Sequence, residues 1–220
     1  MKKEKIQLNG ILFDKNNIGK LIKTEHPHTA WENAINQFLI EWFSNSEWIT
    51  THTSGSTGLP KEIRLSKNAM RNSAQMTNAF FNLNETKTAL LCLPATYIAG
   101  KMMLVRAIIG GFNLITTEPK ANPFENITQK IDFVAITPYQ LYYSADTLKI
   151  RDVSDVIVGG GRVNSNLEKI AKELPCRLFE TYGMTETCSH IALRCLNGNN
   201  KSDFFTYLMQ FLSGKISVVA

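Results

Sequence analysis

No two cysteines form a C-x-x-C pair in this 220-residue sequence, and there are only four: Cys92, Cys176, Cys188 and Cys195. A chain of this size needs no disulfide staples, so the thiols read as reduced, which predicts a cytoplasmic protein. The histidines, His26, His28, His52 and His190, show no zinc spacing, and His26 and His28 flank Pro27 as a surface loop does. Long apolar runs are also lacking. Residues 102–109 are interrupted by Arg106 and closed by Gly110 and Gly111, and residues 204–212 are short and contain Gln210. Neither segment predicts a membrane span, and the charged start, Met1-Lys2-Lys3-Glu4-Lys5, leads into no apolar signal-peptide core. The net charge of +5 is spread along the chain, not clustered. That argues against a nucleic-acid partner and suits a binder of small anions. With 13 Gly and 7 Pro, collagen-like and low-complexity classes are excluded. What remains is 44% hydrophobic and 20% charged, the composition of a soluble globular chain about one domain long.

The apolar pattern predicts an α/β fold. Thr29 stands before an amphipathic helix carrying Trp31, Ile35, Phe38, Leu39 and Trp42 at three- and four-residue spacing. Residues 48–53 and 62–65 read as two strands around a Ser/Thr/Gly loop, and Ser66 as the cap of a helix to about Phe81. Strands then alternate with helices: strands at 89–93, 112–116, 133–136, 156–158, 177–181 and 191–193; helices at 98–109, 124–130, 139–144 and 166–174. Ser165 and Glu168 have capping-box spacing. Such alternation predicts a mostly parallel sheet covered by helices.

Three segments carry chemistry. Thr53, Ser54, Gly55, Ser56, Thr57, Gly58, Leu59, Pro60 and Lys61 crowd hydroxyls, glycines and one lysine into a single loop. Glycine lets backbone N–H groups face a ligand, hydroxyls add donors, and lysine adds a point charge, as a polyphosphate grip requires. It is not a Walker A loop, because Lys61 follows Pro60 and precedes Glu62, and a P-loop NTPase is therefore disfavoured. Gly159, Gly160 and Gly161 follow a strand, where bare backbone admits a flat ligand; a glycine turn before a helix would serve equally well. Tyr182, Gly183, Met184, Thr185, Glu186 and Thr187 supply a ring to stack on a base, a hydroxyl for phosphate and a carboxylate for Mg²⁺. Alone, Thr185 and Glu186 would equally start a helix.

In this order the three segments resemble the acyl-adenylate-forming superfamily of acyl-CoA synthetases, luciferases and nonribosomal adenylation domains. Leu93-Pro94-Ala95-Thr96-Tyr97-Ile98-Ala99-Gly100-Lys101 and the run to Ser189-His190-Ile191-Ala192-Leu193-Arg194 are similar to the o-succinylbenzoate–CoA ligase branch, linked to menaquinone biosynthesis. The resemblance spans roughly residues 27–203. It implies the large N-terminal domain core of such an enzyme over 1–203, with 204–220 as a divergent tail. It implies ATP, Mg²⁺ and CoA, and a small-molecule carboxylate substrate. Residues 53–61 would hold the ATP phosphates, with Lys61 offsetting charge. Gly159, Gly160, Gly161 and Tyr182 with Gly183 would flank adenine. Thr185 would contact the α-phosphate, and Glu186 would ligate Mg²⁺. Tyr97, Gly100, Lys101 and Ser189 would border the acyl pocket, where Lys101 or Ser189 could meet a second carboxylate; a solvent-facing helix lysine is the alternative for Lys101.

Two residues depart from the superfamily pattern. Glu62 replaces a glycine after Pro-Lys, and Tyr97 stands where many relatives have histidine. The ribose-holding aspartate motif, the hinge and the small C-terminal domain with its lysine do not occur in the sequence. This predicts a weak nucleotide binder with little thioester formation. The tail reads equally as a frameshift product or as an ordinary terminal element. The competing expectations are a non-catalytic nucleotide- or acyl-binding remnant, and a ligase for another aryl or fatty acid.

Overall fold

A computed structural model describes residues 4–21, 29–52 and 62–208. Strands β1 (Lys5–Leu8) and β2 (Ile11–Asp14) form an antiparallel hairpin, followed by a short 3-10 turn at Ile18–Leu21. Helix α1 (Ala30–Phe43) begins where Thr29 donates both its N–H and its hydroxyl to the Glu32 carboxylate, at 2.8 and 2.7 Å. Its apolar stripe is buried through Ile35, Phe38, Leu39 and Trp42, as the spacing predicts. Strands β3 (Trp48–His52) and β4 (Glu62–Ser66) pair antiparallel, with His52 opposite Glu62. Helix α2 (Lys67–Phe80) starts at Ser66, whose Oγ accepts the Ala69 N–H at 3.1 Å.

The remaining elements are β5 (Thr88–Leu91), α3 (Ile98–Gly110), β6 (Asn113–Thr116), β7 (Ile131–Ile136), α4 (Pro138–Ile150), β8 (Val153–Val158), α5 (Ser165–Glu173), β9 (Arg177–Met184), β10 (Ser189–Cys195) and β11 (Thr206–Tyr207). They build a nine-stranded sheet in the order β11-β10-β9-β8-β7-β5-β6-β1-β2. Its centre, β9-β8-β7-β5-β6-β1, is parallel, and antiparallel strands flank it at both ends. The central strands are buried on both faces, which explains their unbroken apolar runs. Leu91, Phe133, Ala135, Ile157 and Phe179 pack in one core with α1, α2 and α3. Leu90, Val134, Ile136, Val156, Val158 and Leu178 pack in a second core with α4 and α5. The chain leaves β5 for β6 on one side and returns to β7 on the other, so strand order reverses between β5 and β7. Ligands bind at such reversals, beyond the carboxyl ends of the strands.

Four local expectations change. The helix expected at 124–130 is a turn, with the Ile127 N–H on the Phe124 carbonyl at 3.1 Å. Seven residues are too few to offset helix nucleation, although Phe124 is buried and Ile127 packs against the same core. The helix expected at 139–144 is longer: Pro138 occupies the first turn of α4, which runs to Ile150, with Thr137 as cap. Asn164, not Ser165, caps α5, its Oδ1 accepting the Leu167 N–H at 3.0 Å. Strand β9 continues through Tyr182, Gly183 and Met184, because β10 pairs with it along that length. Beyond residue 203 the sheet also continues: β11 pairs with β10, and Leu208 is buried.

Candidate active site

A cavity of about 340 Å³ opens at the β5/β7 reversal. Its walls are the carboxyl-end residues Pro94, Thr137, Gly159 and Gly160, and the β9–β10 hairpin from Gly183 to His190. Gly159 stands so near the Thr181 hydroxyl that any side chain would strike it. Gly160 has φ +76°, with open space where a side chain would project. Bare backbone therefore faces the cavity at both glycines, as a flat ligand requires. The Val163 N–H donates to Glu180 at 3.0 Å, and Arg194 pairs with Glu180 and Glu168 at 2.6 and 2.8 Å. This network pins the end of the glycine segment to β9, β10 and α5.

Thr185, Glu186 and Thr187 form one 3-10 turn at the hairpin tip, closed by Cys188 in the left-handed region at φ 65°. They do not start a helix. The Thr187 hydroxyl accepts the Met184 N–H at 3.0 Å and donates to the Ser189 carbonyl at 2.6 Å, which fixes the tip. Gly183 makes the hairpin possible, since a Cβ there would run into the Ser189 carbonyl and the His190 backbone. Thr185 lines the cavity, and Glu186 is exposed beside it. Strand β4 packs against this turn. Thr53, Ser54, Gly55, Ser56, Thr57, Gly58 and Lys61 lie in the β3–β4 connection, outside the described residues.

Tyr97 and Ser189 line the cavity. Four expected residues stand elsewhere. Tyr182 alternates to the other face of β9 and packs edge-on against Phe205, with ring centroids 5.9 Å apart. Gly161 abuts Pro138. Gly100 is a packing glycine, where a Cβ would meet the Pro94 carbonyl. Lys101 neither edges the cavity nor faces solvent. It is buried, donates from Nζ to the Thr50 carbonyl at 2.7 Å and lies 6.0 Å from the Phe38 ring. Burial lowers its pKa, partly countered by Glu41.

The residue that sequence reasoning missed is Arg106. Helix α3 is buried on every side from Gly100 to Ile108, and Arg106 sits within it at 1% exposure, on the cavity wall. Its NH2 donates to Ser189 Oγ at 2.8 Å and approaches His190 Nδ1 at 3.4 Å. Among the described residues its NH1 has only the Met103 thioether as a hydrogen-bond partner, at 3.6 Å, and its buried Nε has none. No carboxylate pairs with it among the described residues. Burial pulls its pKa down to about 9, which still leaves it a cation at neutral pH. An unpaired buried guanidinium is costly unless a ligand supplies the anion. The available signal was the interruption of an apolar run by Arg106; its burial was not legible.

A larger cavity, about 660 Å³, lies near Trp42, Lys67 and Arg71, but its cations are satisfied internally. Arg71 pairs with Glu4 at 2.6 Å, and Lys67 Nζ donates to the Glu41, Trp42 and Ser44 carbonyls at the end of α1. Volume alone does not make it the site.

The chain is thus an open, doubly wound α/β protein with a cavity at the reversal of its strand order, bare glycine walls and a buried cation beside it. More particularly, the AMP-binding enzyme family matches residues 19–206, and the chain belongs to that family. It is similar to an acyl-CoA synthetase (AMP-forming)/AMP-acid ligase II-like protein of Dyadobacter fermentans, at 35% identity and TM-score 0.77, covering 85% of this chain and 55% of that one. It is also similar to the 2-succinylbenzoate–CoA ligases of Escherichia coli, 27% identical over 148 residues, and Listeria innocua, 30% identical over 148 residues. These alignments cover 67% and 64% of this chain, and 32% and 31% of the relatives. The chain thus spans about a third of the length of those curated relatives.

Among the described residues no cluster of three or more acidic, histidine or cysteine side chains could hold a metal by itself. Glu186 alone, exposed at the cavity edge, fits a Mg²⁺ ion that arrives with phosphates, which needs one or two protein carboxylates. No helix among the described residues is long and apolar enough to cross a membrane.

Proposed function

We propose that the chain carries the nucleotide and acyl sites of an AMP-forming acid–thiol ligase whose acid is o-succinylbenzoate. The observation that carries this reading is Arg106, a buried cation on the wall of the cavity with no carboxylate partner among the described residues. A substrate with two carboxylates answers it: one is activated, and the other meets Arg106 and the Ser189 hydroxyl. The names of the curated relatives support the same acid.

In the first half-reaction the substrate carboxylate attacks the α-phosphorus of ATP and pyrophosphate leaves. In the second, the CoA thiol attacks the acyl carbon and AMP leaves. Neither step needs a side-chain nucleophile. The chain contributes positioning and charge neutralisation. Residues 53–61 with Lys61 grip the phosphates, Thr185 contacts the α-phosphate, and Gly159 and Gly160 border the adenine. Bound Mg²⁺ supplies charge neutralisation at the phosphates, and Glu186 is the residue to hold it. Arg106 and Ser189 anchor the far end of the acid and thereby aim its reactive carboxylate at the nucleotide.

The test is calorimetric binding of o-succinylbenzoate and ATP to the 220-residue chain, with pyrophosphate exchange as the activity readout. Binding of both, with exchange that depends on the acid, is the expected result. ATP binding without o-succinylbenzoate binding would favour a different aryl or fatty acid, and binding of neither would sink the proposal.

A further inference from the structure

The buried contacts around Arg106 have a direction. His190 Nδ1 lies 3.4 Å from Arg106 NH2, which can only donate, and 3.3 Å from Ser189 Oγ, a hydroxyl able to donate or accept; the far side of the ring sets the direction, because Thr77 gives its one hydroxyl hydrogen to the Ser73 carbonyl. The imidazole proton then sits on Nε2, which lies 3.2 Å from Thr77 Oγ1. The Thr77 hydroxyl accepts from Nε2 and passes its own hydrogen to the Ser73 carbonyl, 3.2 Å away within α2. The chain ends on a group that cannot donate, so it runs only one way: Arg106 to His190 to Thr77 to Ser73. Arg106, His190 and Thr77 are all buried, at 1%, 6% and 0% exposure.

We propose that His190 is a positioning residue that aims Arg106 at the second carboxylate of the substrate, acting as a neutral imidazole with its proton on Nε2. The proposal rests on the dicarboxylate reading given above. Together with Ser189, His190 occupies the NH2 hydrogens of Arg106 and holds the guanidinium plane. Nε and the thioether-facing NH1 are left without an oxygen or nitrogen partner among the described residues. An imidazolium would defeat the device: Nδ1 could no longer accept, and a second cation would stand against Arg106 with no carboxylate beside it. Burial and the Arg106 charge both depress the His190 pKa, in keeping with the neutral form.

Two measurements test this on the full chain. The first is binding of o-succinylbenzoate and of benzoylpropionate, the same skeleton without the ring carboxylate, to wild type, His190→Leu and His190→Asn. Asn places Oδ1 near the position of His Nδ1 and keeps the acceptor. His190→Leu should weaken the dicarboxylate roughly tenfold, about the effect of one hydrogen bond to a charged group, and the monoacid less than about twofold. His190→Asn should recover the dicarboxylate to within about threefold of wild type. Equal loss for both acids, or no rescue by Asn, would assign His190 a merely structural role and overturn the proposal. The second measurement needs no ligand and survives a Leu variant that fails to fold: imidazole ¹⁵N shifts of the wild type between about pH 6 and 8. Neutral imidazole with Nε2–H is expected, and an imidazolium or Nδ1–H overturns the proposal whatever the substrate. Failure of the substrate reading has its own signature, wild type binding the two acids equally while the Nε2–H tautomer is intact. That result removes the carboxylate at which Arg106 would be aimed.

Discussion

Replacing Arg106 by Met should make the protein more stable and less able to bind its acid. The guanidinium is 1% exposed, holds one good hydrogen bond to Ser189 at 2.8 Å and one long approach to His190, and has no carboxylate partner among the described residues. Desolvating an ion costs several kcal/mol even after relaxation. The Ser189 bond returns about 1.5–3 kcal/mol, leaving a net penalty of roughly 2 kcal/mol that methionine does not incur. For a chain of this size that corresponds to a rise in Tm of about 4–8 °C. The same substitution removes the charge-assisted contact with the second carboxylate, about 1.5–3 kcal/mol or about 10- to 150-fold in Kd. Benzoylpropionate, which lacks that carboxylate, should bind both proteins alike. Scanning calorimetry and titration calorimetry on the same preparations read both quantities. A variant with lower Tm and undiminished o-succinylbenzoate affinity would refute the reasoning, because Arg106 would then be a paired structural residue.

Gly183→Ala should destabilise the β9–β10 hairpin by about 2 kcal/mol or more in denaturant titration, since the new methyl meets the backbone of Ser189 and His190, which cannot yield as a side-chain end can. Lys101→Met should leave o-succinylbenzoate affinity unchanged, because its Nζ is committed to the Thr50 carbonyl; a selective loss of the acid would show that the lysine reaches the cavity. Lys61→Ala should weaken ATP binding in calorimetry by about 1.5–3 kcal/mol, and unchanged affinity would remove residues 53–61 from the phosphate site. Stability should fall with acid through His190. Its folded pKa lies well below 6.5, so below that pH the unfolded chain binds the extra proton and stability drops by about 1.4 kcal/mol per pH unit. His190→Asn should remove that increment of slope between about pH 6.5 and 5, and identical slopes would show that His190 titrates normally in the folded protein.

The sequence by itself determined the layered architecture. Apolar runs such as Ala89-Leu90-Leu91 and Phe133-Val134-Ala135-Ile136 have no polar face, so only a sheet covered on both sides accommodates them. The three glycines 159–161 offered bare backbone or a simple turn equally well, and only the tertiary structure set Gly159 and Gly160 on the cavity and Gly161 against Pro138. Local hydrogen bonding was partly legible: Ser66 caps its helix as its chemistry predicts, whereas at α5 the neighbouring Asn164 competes with Ser165 and prevails. Tertiary structure decided the rest. Whether Tyr182 faced a ligand or Phe205 depended on the strand continuing past Thr181, which only pairing with β10 established. Lys101 and Arg106 are both cations in one apolar helix, indistinguishable by spacing from snorkelling surface residues. Packing on every side of α3 buried both and sent them to different neighbours: Lys101 to a backbone carbonyl that occupies it, Arg106 to a cavity wall that leaves it an unpaired charge. A sequence records that a charge is present. Whether that charge is hydrated, satisfied or waiting for an anion depends on what the rest of the chain places beside it, and the energy of a buried ion is set almost wholly by those neighbours.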